Sequence, residues 1–182
     1  MAHALFILGE LTDQDVDWMV SAGTRTQISA GTELIHEGQP ASALYILLDG
    51  ALEVSAAAAQ RRQLAHLGKG EVVGEMSFVD ARPPSATVRA TEDSLVLAIP
   101  LEALRTRLEQ ETAFAARFYR AIAISLSHRL RQMDLIATDG RPVQADLDPD
   151  ELDPNVLDTV HLAGLRFERV LQRLVGDPEK RP

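Results

Sequence analysis

Residues 74–90 read GEMSFVDARPPSATVRA. The stretch opens on Gly74-Glu75 and continues into a segment long enough for one helical turn. It is then interrupted by Arg82-Pro83-Pro84 and closes on the alternating residues 87–90. A glycine-carboxylate pair, a short helix start and a turn between two strands together supply backbone amides aimed at an anion. The stretch also divides the chain: the residues before it read as short strands, and those beyond the next strand read as helix.

Working outward, the region from Arg25 to Ile99 has period-two apolar alternation punctuated by glycine. Strands are predicted at 26–29, 32–36, 43–48, 51–56, 63–67, 87–91 and 94–99. Asp49-Gly50 is a strong signal for a tight hairpin, because both central residues of such a turn favour positive φ. Residues 56–62 read as a second hairpin loop. Many short strands with regular turns imply a β-sandwich or a jelly-roll barrel.

Helical patterns flank this region. Residues 10–22, ELTDQDVDWMVSA, predict one amphipathic helix with Thr12 as N-cap, Asp13 and Asp15 in the first turn and Gly23 at its end. After Pro100, Leu101, Leu104 and Leu108 mark a short helix. A long one follows over 112–136, with Phe114, Phe118, Ile122, Leu126, Leu130 and Met133 in a stripe. At 1.5 Å per residue it spans about 37 Å, longer than one small barrel needs for cover. Its second half is thus a candidate seam for a second copy, the alternative being a helix packed wholly on its own barrel. Residues 138–153 form an acidic, proline-interrupted linker. Asp153-Pro154 then opens a last helix over 154–175, with Leu157, Val160, Leu171 and Leu174 on one side and Phe167 nearby.

Composition removes several function classes. The chain of 182 residues carries 18 Lys+Arg against 27 Asp+Glu, a net charge of −9, which disfavours coating a phosphate backbone. Residues 138–182 hold 6 Lys/Arg against 10 Asp/Glu and a single helix, so the sequence offers no basic recognition helix of a DNA-binding motif. There is no cysteine, and hence no disulfide or thiolate. No apolar run approaches the length of a membrane span, and 4–8 is too short for a signal segment, which makes the cytoplasm the expected compartment. The histidines at 3, 36, 66, 128 and 161 lack metal-ligand spacing. The serines at 77, 85, 125 and 127 lack a base and a nucleophile elbow, so no catalytic residue is assigned and no enzyme is expected.

The strand-glycine rhythm resembles the cyclic-nucleotide-binding domain family. The resemblance rests on Ala30-Gly31, Ile35, Glu37-Gly38, Leu44-Tyr45-Ile46, Asp49-Gly50, Leu67, Gly70, Gly74-Glu75 and Ala86-Thr87-Val88, in the family's order over residues 10–135. It implies a mainly β fold with α: an eight-stranded jelly-roll barrel, an N-terminal helix and C-terminal helices, the longest often a dimer seam. It also implies a cyclic nucleotide, cAMP or cGMP, as ligand, with no other cofactor. By the same resemblance Glu75 accepts from the ribose 2′-hydroxyl and Gly74 lets the backbone approach the sugar. The backbone at Met76 and Ser77 and around Ser85, Ala86 and Thr87 faces the phosphate.

One position departs from the family pattern. The arginine expected immediately before Ser85-Ala86 is Pro84. An arginine–phosphate fork contributes about 1.5–3 kcal/mol, whereas a helix end supplies about 0.3–2 kcal/mol. Its loss weakens a micromolar ligand roughly 10- to 150-fold. Arg82 lies two residues upstream, about 6–7 Å along an extended chain, within reach for an inward-turned guanidinium. Alternatively Glu75 caps local amides or pairs with a nearby arginine, with no ligand.

The sequence therefore predicts a non-enzymatic regulatory module. Residues 1–137 form the cyclic-nucleotide-binding-like domain including the long helix, 138–153 the linker, and 154–176 a C-terminal helix. A homodimer through 112–136 and a protein partner at 154–175 are expected. The alternatives are a ligand-free docking or oligomerisation module and, further off, a transcription-regulator-like protein.

Overall fold

The computed structural model describes residues 3–57, 63–139 and 154–175. Eight strands form within the alternating region: β1 (Thr24–Ile28), β2 (Glu33–Ile35), β3 (Ala43–Asp49), β4 (Leu52–Ser55), β5 (Gln63–Leu67), β6 (Val72–Val73), β7 (Thr87–Ala90) and β8 (Ser94–Pro100). They make two antiparallel four-stranded sheets, β1-β8-β3-β6 and β2-β7-β4-β5. Leu47, Val73 and Val96 of the first sheet meet Ile35, Leu52, Leu67, Val88 and Ala90 of the second, forming the barrel core.

The first sheet is covered on both faces, which explains why β3 and β8 read as nearly continuous apolar runs. Leu44, Ile46 and Leu48 of β3, with Leu95, Leu97 and Ile99 of β8, turn away from the barrel interior into a second core shared with the helices. The helices are α1 (His3–Glu10), α2 (Asp13–Ala22), α3 (Glu75–Asp80), α4 (Leu101–Gln110), α5 (Thr112–Asp139) and α6 (Pro154–Val175). Among the described residues no helix is long and apolar enough to cross a membrane.

Several expectations need correction. The predicted helix over 10–22 forms as α2, and a further helix that the sequence reading missed, α1, precedes it and ends at Glu10. Helix α1 is apolar around much of its circumference because its Ile7 and Leu8 enter the core, so it lacks the period that identifies a surface helix. Thr12 does cap α2: its hydroxyl accepts from the Asp15 amide at 3.3 Å, while the Asp15 carboxylate accepts from the Thr12 amide at 2.8 Å. The eighth strand, β6, has two residues and is recognisable only by its pairing, Val73 with Tyr45 and Val72 with Ile46.

Asp49-Gly50 is a tight turn but not a hairpin turn, since β3 and β4 belong to different sheets. Gly50, at φ +91°, carries the chain from one sheet to the other. The hairpin does form between β4 and β5, with Leu52 opposite Leu67. Its loop tip at 58–62, the linker residues 140–153, the Asp153 cap and the tail 176–182 lie outside the described residues, as do the side chains of Met133, Leu157 and Val160.

Along α5 the described apolar stripe passes from buried to exposed. Phe114 and Phe118 are fully buried and Ile122 is nearly so, but Leu130 is 61% exposed. Phe114 packs edge-on to Trp18 at 5.5 Å between ring centroids, and Phe118 edge-on to Phe78 of α3 at 5.8 Å. The same end of α5 is tied to α2 by Arg117, whose Nε and Nη2 donate to Asp15 at 2.8 and 3.0 Å. Asp15 is 2% exposed. Burial by itself raises its carboxyl pKa, but the Arg117 hydrogen bonds and those from Thr12 outweigh that and hold it below the ordinary aspartate value.

Because the folded-state value is depressed, the pair's contribution is complete above the unfolded pKa, about 3.9, and is lost as pH falls through the folded one. Arg117→Met leaves a buried carboxylate uncompensated and is expected to destabilise by about 2–3 kcal/mol at neutral pH. That corresponds to about 5–10 °C in Tm. The deficit relative to wild type should shrink below pH 4 in acid-melting series, and a deficit independent of pH would contradict the pairing.

Candidate functional site

Strand β6 delivers the chain to the site. After Val73 the backbone turns at Gly74, which adopts φ +95° and forms the N-cap of α3. A Cβ at Gly74 would stand 2.9 Å from the Ala43 carbonyl oxygen, in a conformation that L side chains avoid. Glycine is therefore demanded twice here, by the backbone angle and by the close approach to β3. Glu75 follows as the first residue of α3, 2% exposed.

The Glu75 carboxylate is ion-paired with the Arg129 guanidinium, which reaches in from α5. Arg129 Nη2 also donates to the Val72 carbonyl at 2.6 Å, so one side chain ties α5 to both β6 and the start of α3. A buried carboxylate needs such a partner, since an uncompensated charge out of water costs several kcal/mol. One helical turn earlier on the same face of α5 lies Ser125, 1% exposed, whose hydroxyl has no hydrogen-bond partner among the described residues.

The remaining expected residues line the path from α3 to β7. Met76 is exposed, Ser77 half-buried, and Phe78 is buried against Phe118 and Tyr119. Helix α3 ends at Ala81, whose φ of +55° makes it the sole non-glycine left-handed residue among those described. The Arg82 amide donates to Asp80 Oδ1 at 3.1 Å, while its side chain is exposed and has no partner among the described residues. The Pro84 carbonyl accepts from the Gly38 amide at 2.8 Å, and Thr87 Oγ1 accepts from the Glu37 amide at 3.2 Å. These two bonds fasten the Glu37-Gly38 turn to the far end of the stretch. Ser85 is exposed and Ala86 half-buried between them.

The structure thus unites Gly74, Glu75, Met76 and Ser77 at one helix start, with Ser85, Ala86 and Thr87 entering β7. It does not bring the Arg82 guanidinium onto Glu75. The cation at Glu75 is Arg129, a residue to which the sequence assigned no role. A signal for it exists: Arg129 is seven residues beyond the buried Ile122 and four beyond the buried Ser125, so it falls on the core-facing side of α5. An arginine on a buried face calls for a buried acid. Among the described residues no group of three His, Asp or Glu is placed to hold a metal ion.

Comparison with known proteins agrees with this geometry. Residues 25–111 match the family model for the cyclic nucleotide-binding domain. The cyclic AMP receptor protein of Thermus thermophilus is 32% identical over 127 residues, covering 69% of this chain and 57% of that protein. An uncharacterized NTE family protein of Mycobacterium tuberculosis is 28% identical over 136 residues, covering 75% of this chain and 22% of that protein. The chain therefore spans from about a fifth to somewhat over half of the length of these relatives.

Among solved structures, the catabolite activator protein of Thermus thermophilus aligns with a TM-score of 0.58 at 25% identity, covering 91% of this chain and 84% of that one. A cyclic nucleotide-binding domain from Methylobacillus flagellatus aligns with a TM-score of 0.64 at 22% identity, covering 71% and 77%, a likeness of fold. Two antiparallel sheets, the glycine-glutamate start of α3 and the strand that follows it thus fall on the segment, residues 25–111, that matches the cyclic nucleotide-binding domain model.

Proposed function

We propose that this chain is a non-enzymatic regulatory module that takes a cyclic nucleotide, cAMP or cGMP, at the Gly74–Thr87 stretch and works in the cytoplasm as a dimer. The observation that carries this reading is the buried Glu75 at the head of α3, inside a matched cyclic nucleotide-binding domain. A carboxylate has lone pairs enough for Arg129 and a ribose hydroxyl together. On this reading Gly74 admits the sugar, and the amides of Met76 and Ser77 with those around Ser85, Ala86 and Thr87 receive the phosphate. Arg82 supplies the charge that Pro84 does not. One of the relatives named above, a cyclic AMP receptor protein, supports the nucleotide part of this reading.

Arg129 has an electrostatic part in this scheme. A phosphate seated about 7 Å from an uncompensated carboxylate is repelled by about 2 kcal/mol at an effective dielectric constant of about 20. By neutralising Glu75, Arg129 makes the pocket tolerant of an anion. The buried, unpartnered Ser125 hydroxyl is a further candidate contact for a ligand that reaches α5.

A second reading has its own support. Arg129 already satisfies Glu75 within the chain, so the fold is complete without a ligand and also suits a constitutive docking or oligomerisation module. On either reading the exposed Leu130 of α5 marks the seam for a second copy. The apolar side of α6 is engaged within the chain, so a protein partner at 154–175 would meet the opposite side, where Leu162 and Leu165 are exposed.

Thermal melting with and without millimolar cAMP or cGMP separates the two readings. A nucleotide at 100 times its Kd stabilises by about 2.7 kcal/mol, roughly 5–10 °C for a chain of this length. Absence of a shift with either nucleotide favours the docking module. Calorimetry on variants tests the charges: Arg82→Ala and Arg129→Gln are each expected to weaken nucleotide binding about 10- to 50-fold. Unchanged affinity in Arg82→Ala removes it from the phosphate site. Leu130→Glu is expected to halve the mass in sedimentation equilibrium while leaving Tm within a few degrees, and an unchanged mass would move the dimer seam elsewhere.

A further inference from the structure

Helix α6 lies against the N-terminal helices. It packs chiefly on α1, with α2 beside it. Ala163, Phe167 and Val170 are buried there in the same core as Ile7, Leu8, Leu11 and Val16. Their spacing, i, i+4 and i+7, is that of one narrow helical stripe.

A row of arginines runs along the flank of this stripe. Arg166 Nε donates to Asp13 at 2.8 Å, and its Nη1 donates to the Leu8 and Gly9 carbonyls at 2.9 and 3.0 Å. Those carbonyls belong to the last turn of α1, which would otherwise lack partners. Arg169 joins Asp13 at 3.4 Å and Asp17 at 3.2 Å, and Arg173 joins Asp17 at 2.5 Å. At the far end Arg25 of β1 donates to the Leu174 carbonyl at 2.8 Å. The α6 side of this contact is basic and the α2 side is acidic, in a chain whose net charge is −9.

We propose that α6 is a detachable strap: the α1–α2 face is a receptor for an arginine-bearing amphipathic helix, and α6 is its resident occupant, opening as a unit while the barrel stays closed. This goes beyond the nucleotide reading and does not depend on it. Three features make α6 separable. Its partners are mainly the two N-terminal helices rather than the strands. Three of its charge pairs are substantially exposed, with Arg169 46% and Arg173 50% exposed at the side chain, and salt screens such pairs. It also follows residues 140–153, which carry five Asp/Glu against one arginine and add no apolar pattern of their own. Peripheral elements open at lower free energy than the whole protein.

Hydrogen exchange on the full-length chain, resolved by segment, tests this. Amides of 161–174 are expected to exchange about tenfold or more faster than those of β3 and β8 at about 0.05 M NaCl. They are expected to speed up several-fold at about 1 M, while the strands stay unchanged. Arg169→Gln with Arg173→Gln should accelerate 161–174 about tenfold and remove most of the salt response. Asp13→Asn with Asp17→Asn should accelerate it at least as much, since it also removes the Arg166–Asp13 pair, and adding the arginine set to it should change little further, because those arginines have then lost their acids already. Exchange of 161–174 together with the strands as one cooperative unit would overturn the proposal. So would exchange that neither salt nor either variant set alters.

Discussion

Helix α5 is held in place by two carboxylates that have left water. Near its start Arg117 meets Asp15 of α2, and about 18 Å further along, Arg129 meets Glu75 of α3. Each acid is 2% exposed, so each pair is under strong constraint: breaking one partner strands a charge in the interior. One pair refers α5 to the N-terminal helices and the other refers it to the candidate ligand stretch. Any displacement of the helix along its axis must disturb at least one of them. Between these points Phe118, Ala121 and Ile122 fill the gap with buried apolar surface and permit no intermediate register without voids.

The barrel serves this arrangement by giving α3 a rigid origin. Strand β6 is short, yet it is paired to β3, and Gly74 presses against the Ala43 carbonyl with no room for a side chain. The far end of the stretch is fastened by the bonds from Gly38 to Pro84 and from Glu37 to Thr87. Between these anchors, α3 and the 81–86 turn are the parts that a ligand would address. A regulatory domain needs this contrast between a fixed frame and an addressable segment, because a ligand shifts an equilibrium only by its differential affinity for two arrangements.

How far the sequence reached can be judged residue by residue. Most strands were legible because half-buried strands alternate, and the Thr12–Asp15 cap because capping is local. The Gly74-Glu75 start of α3 was legible because a glycine before a short helix marks a backbone angle. Three features escaped. Helix α1 is apolar without period, β6 is two residues long, and the β3–β4 turn joins two sheets although its residues resemble a hairpin. In each case the deciding contact is made with something distant in the chain.

The sequence by itself determined the β-rich class, the order of its elements, the family resemblance and the glycine-glutamate head of the candidate site. These depend on backbone angles, period and caps, which act over a few residues. Only the tertiary structure decided what Glu75 faces and what α6 covers. Arg129 lies 54 residues from Glu75, and Arg166 lies 153 from Asp13. Pairings at such separations follow from how helices pack on a sheet, and local pattern carries no information about which charge will be buried beside which.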